Sequence, residues 1–479
     1  MIPLPKIRLA FCVPLWILTS VIGTTTHAGS PGEIVDKDGS NEPSNTKRPN
    51  IVWIISDDQA YGDYGFMGHD AIRTPNLDRL AREASLFRRG YVPTALCRPS
   101  LMSLLTGHYA SVHGVTGNDP SPKYAAKQSD AYQQQRADLI AKLGRFESIA
   151  DRLAEAGYLC HQSGKFWEGS FSQGGFTHGM TRGFPRPGGR HGDDGLRIGR
   201  QGLKPIDEFL TLADQSEQPY FLWYAPFLPH SPHNPPERLL KKYATQGRPQ
   251  SIAKYYAMCE WFDETCGDLM KLVGRHKGGD NVMIVYVCDN GWIQDPDSSR
   301  FAPRSKQSPY EGGVRTPIFY HWPGHIAAAD RPELATSLDI YPTTLAAAGL
   351  SVPDDRPGLN LIPYLSAGRV VDRDVVFGES FAHDIADIDD PSRSLLYRWC
   401  INDHWKLLLT MDGETNRYGH VHDRTSTEPR LYDLRSDPDE RMNVAASQPE
   451  VVADLTAKID RWVKSLQTQR QSTLNSASP

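Results

Sequence analysis

The sequence predicts an α/β fold built around a largely parallel sheet. Continuous apolar runs at residues 51–56, 219–225 and 281–288 have the pattern of strands that are buried on both faces of such a sheet. Patterns with helical spacing at residues 148–157 and 252–274 separate these strands along the chain. The chain has 479 residues, too many for one simple core, so we expect two domains or one large and one small domain.

The overall composition is that of an ordinary globular protein. Apolar residues make up 39% and charged residues 23% of the chain. The formal net charge of −5 gives no general affinity for nucleic acid, so we expect no nucleic acid partner. An anionic substrate must therefore be met by local positive charge.

The N-terminus has the pattern of an export signal. A basic start and an apolar run at residues 9–22 precede small residues that end at Ala28, which fits a cleavage site. We expect a cleavable signal peptide over residues 1–28 and an exported protein, periplasmic or secreted. The apolar run is short for a membrane span, so stable membrane insertion is not expected. Residues 29–48 are polar and predict a flexible lead-in.

Cysteines are sparse for an exported chain. There are seven, and Cys12 leaves with the signal peptide. Apart from Cys97, the remaining cysteines show no spacing typical of metal sites; they are Cys160, Cys259, Cys266, Cys288 and Cys400. We expect free buried thiols rather than a disulfide framework.

Residues 95–107 predict a short buried helix. Pro99 suits its first turn, and Gly107 suits the left-handed position just past its end. The residues between them leave almost no polar face. Cys97 then lies at the helix N-terminus, where free N–H groups favour negative charge. Taken alone, Cys97 is most simply one more buried thiol.

Polar residues follow two of the buried strands. Asp57 and Asp58 end the first apolar run, and Asp289 and Asn290 follow the run at residues 281–288. Ligands in such folds bind beyond the carboxyl ends of the strands. Carboxylates with an amide carbonyl suit Ca²⁺ or Mg²⁺ rather than zinc, and carboxylates this close repel without a cation. The alternative is that the Asp pair caps the next helix.

Several further segments are expected near this edge of the sheet. His230 and His233 follow the run at residues 219–225 and are poor core residues. Residues 171–202 hold many Gly, Arg and His side chains and predict a substrate-facing loop region; its charged members are Arg182, Arg186, Arg190, His191, Arg197 and Arg200. Residues 119–145 are polar and weakly periodic, so we expect an insertion over the active-site face.

Two patterns concern helix starts and the end of the chain. Thr74 and Pro75 predict the start of a helix with Thr74 as its N-cap. Residues 395–409 alternate as strands, and residues 451–466 predict a closing amphipathic helix.

A set of motifs occurs in a fixed order along the chain. They are Asp57-Asp58, "TPNLDRLAREA" from Thr74, Cys-x-Pro-Ser-x-x-x-x-Leu-Thr-Gly from Cys97, Gly164-Lys165, "PHSPH" from Pro229, Asp289-Asn290-Gly291 and "K…YEGGxRxP" from Lys306. Together they resemble the formylglycine-dependent (type I) sulfatases of the alkaline-phosphatase superfamily. The resemblance implies an α/β fold whose central mixed, largely parallel sheet is sandwiched by helices. It also implies a catalytic domain over residues 49–370 and a small α+β C-terminal domain over residues 371–470.

The resemblance implies a chemistry and a set of site residues. In that family a maturation enzyme oxidises the cysteine to formylglycine, whose hydrated form attacks the sulfur of a sulfate ester and then expels sulfate. The catalytic residues carried over are Cys97, Lys165, His230 and Lys306. The metal ion implied is Ca²⁺, with Mg²⁺ as the less favoured ion. Its ligands would be Asp57, Asp58, Cys97, Asp289 and Asn290. Further substrate contacts fall to Trp167, Arg98 and His233. The partners implied are the maturation enzyme and a sulfated small molecule or oligosaccharide, and we expect a sulfated carbohydrate.

The sequence departs from the family pattern twice. The motif Cys-x-Pro-x-Arg has Leu101 in place of its arginine, and the sulfate-contacting histidine of "GKWHLG" is replaced by Trp167. Two alternatives therefore stay open. One is a phosphate or phosphonate ester hydrolase of the same superfamily, and the other is a homologue that binds sulfated glycans without cleaving them.

Overall fold

A computed structural model of the protein describes residues 48–415 and 418–476. The expected signal peptide and nearly all of the lead-in lie outside the described residues. The strands are β1 (Asn50–Ser56), β2 (Ser85–Tyr91), β3 (Asp119–Pro120), β4 (Leu159–Gly164), β5 (His178–Gly179), β6 (Tyr220–Ala225), β7 (Val282–Cys288), β8 (Arg315–His321), β9 (Ala329–Thr336), β10 (Val375–Phe381), β11 (Asp384–Ile385), β12 (Leu395–Asn402), β13 (Trp405–Thr410) and β14 (Arg430–Asp433).

Twelve α-helices occur in the described part of the chain. They are α1 (Pro75–Arg82), α2 (Cys97–Thr106), α3 (Ala110–His113), α4 (Asp130–Ala141), α5 (Ile149–Glu155), α6 (Lys204–Ser216), α7 (Glu237–Tyr243), α8 (Gln250–Val273), α9 (Glu311–Val314), α10 (Ile340–Ala347), α11 (Ile362–Leu365) and α12 (Pro449–Ser476). None of the helices described is long and apolar enough to cross a membrane.

The central sheet has eight strands in the order β5-β4-β6-β1-β7-β8-β2-β9. Strand β8 pairs antiparallel with both β7 and β2, while the other neighbours pair in parallel. The sheet is therefore mixed and largely parallel, as the resemblance implied. Its parallel strands β1, β4, β6 and β7 all end at one edge, which is where the polar residues follow them.

Helices cover both faces of this sheet. Along β1, Ile51, Trp53 and Ile55 join a core cluster with α2, α5 and α10, whereas Val52 and Ile54 join a second cluster with α1, α6 and α8. Every residue of β1 is buried. The alternation of side chains along a strand thus places the apolar run of β1 between two helical layers.

A second, antiparallel sheet has the order β10-β12-β13-β14. One of its core clusters includes residues of β2 and α9, and another is closed by Leu455, Ile459 and Trp462 of α12. The expected C-terminal strands and closing helix are present. The described residues from Arg48 onward form one compact unit.

One local expectation needs correction. Thr74 precedes α1, but its hydroxyl donates to Asp78 and accepts from the backbone N–H of Gly65 instead of capping the helix. The expected insertion at residues 119–145 contains a helix, α4, which is capped by Ser129. The six cysteines from Cys97 onward are free and buried, as expected.

Candidate active site

Four polar side chains meet at the carboxyl ends of β1 and β7, which are adjacent parallel strands. Asp57 and Asp58 follow β1, and Asp289 and Asn290 follow β7; all four are nearly inaccessible to solvent. Asp58 has a left-handed backbone (φ 63°), and its N–H donates to Asp289 Oδ1 at 3.1 Å. Asn290 Nδ2 donates to Asp58 Oδ1 at 2.7 Å. The turns after the two strands are thus locked together.

Two buried lysines face these carboxylates. Lys165, directly after β4, donates to Asp57 Oδ1 at 2.5 Å and lies 3.6 Å from Asp289 Oδ2. Lys306 donates to both oxygens of Asp58, at 2.6 and 2.7 Å. The buried cluster therefore contains three carboxyl groups and only two ammonium groups, so it has fewer cationic than acidic side chains.

The pKa values of the two neighbouring aspartates are pushed apart. Burial raises the pKa of Asp57 well above its usual value, and the charges of Asp289 and Asp58 add to this while Lys165 opposes it. Burial acts in the same direction on Asp58, but Lys306 and His230 hold its pKa below the usual value. The asymmetry arises because Lys306 donates to both oxygens of Asp58 and His230 lies beside it, whereas Asp57 has a single bond from Lys165.

Cys97 is the first residue of α2, as the sequence predicts, and Gly107 ends that helix in the left-handed conformation. Its Sγ lies 3.1 Å from Lys306 Nζ, and 3.9 and 3.8 Å from carboxylate oxygens of Asp57 and Asp58. Burial raises the pKa of the thiol far above its usual value despite Lys165 and Lys306. Burial therefore favours the protonated thiol over the thiolate, and the thiol is the poorer nucleophile.

The donor atoms are arranged as a metal site would require. One ligand atom from each of Asp57, Asp58, Cys97 and His230 lies within 4.8 Å of the others. Buried oxygens of Asp57 (Oδ2), Asp289 (Oδ2) and Asn290 (Oδ1) have no hydrogen-bond partner within the described chain. Such oxygens suit a hard divalent cation. His230 joins the cluster although the sequence did not assign it to the metal.

The two candidate histidines lie in different surroundings. His230 Nε2 is 3.3 Å from Asp58 Oδ2, and its ring stacks on Phe227. His233 packs against Tyr255 and Trp292 instead and does not line the cavity above Cys97. His230 is thus the histidine that the fold brings to Cys97.

A cavity of about 900 Å³ opens above Cys97. Its lining includes Cys97, Lys306 and His230 from the centre just described. Both segments that were expected to face the substrate contribute to the lining of this cavity. Residues 171–202 contribute Arg190 and His191. Residues 119–145 contribute Asp119, Lys127, Gln128, Tyr132 and Gln133. The other charged members of the second segment do not line it.

Comparison with protein families decides the identity. Residues 49–350 match the family model described as Sulfatase, and residues 304–469 match that described as N-sulphoglucosamine sulphohydrolase, C-terminal. The chain belongs to the sulfatase family. The resemblance read from the motifs, the fold class and the assignment to sulfuric ester hydrolases are confirmed.

Curated relatives and solved structures agree with this family. Human N-acetylgalactosamine-6-sulfatase is 27% identical over 470 residues, which cover 87% of this chain and 86% of that protein. Human arylsulfatase A is 28% identical over 471 residues, which cover 85% and 86%.

Two solved structures share the fold. A structure in complex with its substrate D-glucosamine-2-N,6-O-disulfate matches with a TM-score of 0.68 and 18% identity, covering 88% of this chain and 99% of that one. The phosphonate monoester hydrolase of Agrobacterium radiobacter matches with a TM-score of 0.63 and 20% identity, covering 88% and 96%.

The positions at which this sulfatase departs from the motif have distinct surroundings. Leu101 is buried in the core cluster between the sheet and α2. Arg98 is fully buried and pairs with Glu168 through two bonds of 2.7 Å, so it does not line the cavity as a substrate contact. Trp167 does line the cavity, and its ring lies under the guanidinium of Arg190 at 4.7 Å.

Some cavity residues could not be identified from their own sequence context. Trp292 carried a signal, because it follows Asp289-Asn290-Gly291. His383, Tyr418 and His420 come from the C-terminal part of the chain, where no motif marks them. His383 reaches the cavity because β11, which directly follows it, pairs in parallel with β3, and Tyr418 packs against His383 and Phe301.

Proposed function

We propose that this sulfatase removes sulfate from a sulfated carbohydrate, with residue 97 as the nucleophile after conversion of its cysteine to formylglycine. The observation that carries the proposal is the position of Cys97 Sγ at the floor of the cavity, 3.1 Å from Lys306 Nζ and next to Asp57 and Asp58. The chemistry favours the conversion, because attack by a thiol on sulfur gives an adduct with no internal route to release sulfate. The hydrated aldehyde has two hydroxyl groups on one carbon, one for attack and one for release.

The cation in this proposal is Ca²⁺, with Mg²⁺ as the less favoured ion. Asp57, Asp58, Asp289 and Asn290 would hold it together with residue 97, and the unpartnered buried oxygens of Asp57, Asp289 and Asn290 support this. When bound, the ion supplies polarisation of the sulfate oxygens and lowers the pKa of a neighbouring hydroxyl group.

The other side chains of the centre have roles that follow from their charge. Lys165 and Lys306 supply positive charge within hydrogen-bonding reach of the carboxylates, so each would also neutralise a sulfate oxygen there. His230 lines the cavity, and its imidazole would protonate or orient the leaving alcohol. Burial of all these groups strengthens their electrostatic interactions with substrate.

The lining supports a carbohydrate as the leaving group. Trp292, Phe301 and Tyr418 line the cavity as neighbouring rings, with centroids 5.3 and 6.0 Å apart. Aromatic faces pack on the apolar faces of sugar rings, while Asn118 and Gln133 offer hydrogen bonds to hydroxyl groups. A cavity lined only by apolar groups would instead suit an aryl sulfate.

The covalent state of residue 97 tests the mechanism. We expect formylglycine in protein from the native host, where the protein is exported and meets its maturation enzyme, and mostly unmodified cysteine after ordinary heterologous expression. Mass spectrometry of peptides that contain residue 97 gives the aldehyde fraction, and desulfation of sulfated oligosaccharides should rise in proportion to it. Full activity in protein that carries only the free thiol would defeat the mechanism.

Two other outcomes select the alternatives. Faster hydrolysis of an aryl phosphate or phosphonate than of the matched aryl sulfate would favour the phosphate or phosphonate ester hydrolase. Unmodified Cys97 in the native host, together with retained binding of sulfated oligosaccharides, would favour the non-catalytic glycan binder.

A further inference from the structure

The cavity carries more positive charge than the sulfate that is cleaved requires. Apart from Lys306 at the reaction centre, its described lining includes Lys127, Arg190 and Arg300, and Asp119 is the single acidic side chain among the described lining residues. The whole chain has a net charge of −5, so this is a local concentration. Local positive charge in a concave site attracts anionic ligands.

Asp119 does not neutralise this wall, because it has two arginine partners. Arg190 Nε donates to both of its oxygens, at 3.1 and 3.0 Å, and Nη2 adds a further bond. Arg136 also donates to Asp119 and is nearly inaccessible to solvent. Burial raises the pKa of Asp119, but the arginines lower it to about 2, so the carboxylate stays ionised. Two guanidinium groups on one carboxylate leave one uncompensated positive charge.

Arg190 is the member of this group that a ligand can reach. Its side chain is 43% exposed, against 3% for Arg136. Nη1 of Arg190 makes no hydrogen bond to the part of the chain that the structure describes. The guanidinium lies 4.7 Å over the ring of Trp167. It is therefore held in place both by the indole and by its bonds to the Asp119 carboxylate. This leaves a fixed cationic group with an unused donor at the cavity wall.

Trp167 supplies the surface on which this arginine lies. The residue is 2% exposed, and Nε1 has no hydrogen-bond partner within the described chain. The indole is therefore held by packing, and its ring gives Arg190 a fixed apolar surface at the cavity wall. The tryptophan occupies the position at which the family pattern has a sulfate-contacting histidine. At the motif position where this chain departs from the family pattern, the replacing residue is thus the one whose ring packs against Arg190.

We propose that Arg190, held in place by Asp119 and Trp167, binds a second anionic group of the substrate, a sulfate or a carboxylate other than the sulfate that is cleaved. This inference rests on the proposed function and narrows its substrate class to carbohydrates with two anionic groups. Guanidinium groups recognise both kinds of oxyanion through paired hydrogen bonds.

Two series of small probes separate the second anion from the first. One starts from N-acetylgalactosamine 6-sulfate and the other from N-acetylglucosamine 6-sulfate. Each series adds either a second sulfate on the same sugar or a neighbouring uronate carboxylate. Titration calorimetry measures the dissociation constant for the full-length protein with an unmodified Cys97, and steady-state kinetics follow for the converted enzyme.

Variants at position 190 give the expected result. In at least one series the wild type prefers a doubly anionic probe, and Arg190→Gln weakens its binding at least about tenfold while the singly sulfated probe is unaffected. Arg190→Lys keeps part of the preference. Arg182→Gln is the matched control, because Arg182 belongs to the same segment, is 57% exposed in a pair with Asp194, and does not line the cavity. In kinetics the loss appears in KM rather than kcat.

The outcomes distinguish this proposal from the proposed function. If the protein binds doubly anionic probes through Arg190 but hydrolyses none of them, the binding site proposed here is supported and the enzymatic role is overturned. Equal losses for singly and doubly anionic probes in Arg190→Gln would mean that Arg190 only supports the fold, and would overturn the inference. A wild type without preference for a second anion in both series would also overturn it. Comparing the doubly sulfated probes with the uronate-containing probes identifies which second anion Arg190 binds.

Discussion

At the level of single residues, leucine replaces the motif arginine near Cys97, and an arginine occupies the position directly after Cys97. Leu101 lies in an apolar cluster where the family motif has arginine, while Arg98, next to Cys97, is fully buried in a two-bond pair with Glu168. Glu168 lies on the segment that also carries Lys165 and Trp167. The pair therefore connects the start of α2 to that segment.

Removing one partner of this pair should be costly. Arg98→Met leaves Glu168 as an unpaired buried carboxylate, and we expect the free energy of unfolding to fall by about 3–5 kcal/mol. The double variant Arg98→Met/Glu168→Leu should recover most of the loss, because no charge then remains. Urea unfolding of both single variants and the double variant measures the coupling. Strictly additive losses would contradict the pairing.

Restoring the motif has two opposed effects. In Leu101→Arg we expect a higher fraction of formylglycine, because the motif arginine returns. We also expect a lower melting temperature, since a charge enters an apolar cluster. Mass spectrometry at residue 97 and thermal unfolding report the two effects separately, with Leu101→Met as the volume-matched control. A folded Leu101→Arg protein with an unchanged aldehyde fraction would show that the motif arginine does not limit the conversion.

At the level of elements, the ends of β1 and β7 should share one divalent cation. Metal analysis after mild dialysis should give about one equivalent of Ca²⁺ per chain, because hard oxygen ligands from both strands converge there. Asp289→Ala should lose it, and a chelator should lower the melting temperature of the wild type but not of the variant. Stoichiometric zinc without calcium would contradict this assignment.

The start of α1 depends on a side chain from α8. Asp263 accepts bonds from the backbone N–H groups of Asn76 and Leu77, at 3.2 and 2.8 Å, and from the amide of Asn76. Burial raises the pKa of Asp263 from its usual value of 3.8 to about 6, although these bonds oppose the rise. The acid form is thus favoured by folding, and the stability that it contributes is present below pH 4 and lost as the pH rises through 6.

Replacing Asp263 by Asn removes this titration. We expect the wild type to lose about 2–3 kcal/mol of unfolding free energy relative to Asp263→Asn between pH 4 and pH 6. Denaturant unfolding of both proteins at several pH values gives the difference curve, in which the other titrating groups cancel. A difference that stays constant with pH would contradict the shifted pKa.

At the level of the whole molecule, a buried ionic cluster joins the two sheets. Lys406 of β13 lies 3.0 Å from Glu311 of α9 and 2.9 Å from Glu440, and it is inaccessible to solvent. Lys406→Met should cost about 3–5 kcal/mol, because Glu440 loses its cation and Glu311 keeps only Arg315, at 3.4 Å. Lys458→Met is the control, since its pair with the exposed Asp374 should be worth less than about 1 kcal/mol. Thermal unfolding of the two variants compares them; equal melting temperatures would contradict the role of Lys406.

The parts of the fold that the sequence predicts are those set by local pattern. The apolar runs of β1, β6 and β7 identify buried strands, and the parallel arrangement makes their following residues converge. Features that depend on contacts between residues far apart in the sequence cannot be predicted from local pattern. Asp263 supplies the N-cap of α1 although Thr74 has the local pattern for it, and the antiparallel direction of β8 depends on its neighbours. His383 and Tyr418 reach the cavity through the pairing of β11 with the distant β3 and through ring contacts with Phe301.

The C-terminal origin of that cavity wall has a consequence for how the protein can change. The groups around residue 97 come mainly from loops at the edge of the first sheet, whereas His383, Tyr418 and His420 belong to the last part of the chain. One wall of the cavity is therefore encoded in a stretch of the gene separate from the reaction centre, whereas Arg190 and Trp292 lie in the stretches that also carry the centre. Exchanging residues 411–429 with those of another sulfatase should alter which glycan is accepted while leaving the desulfation step intact, so new specificities can evolve by recombination without repair of the chemistry.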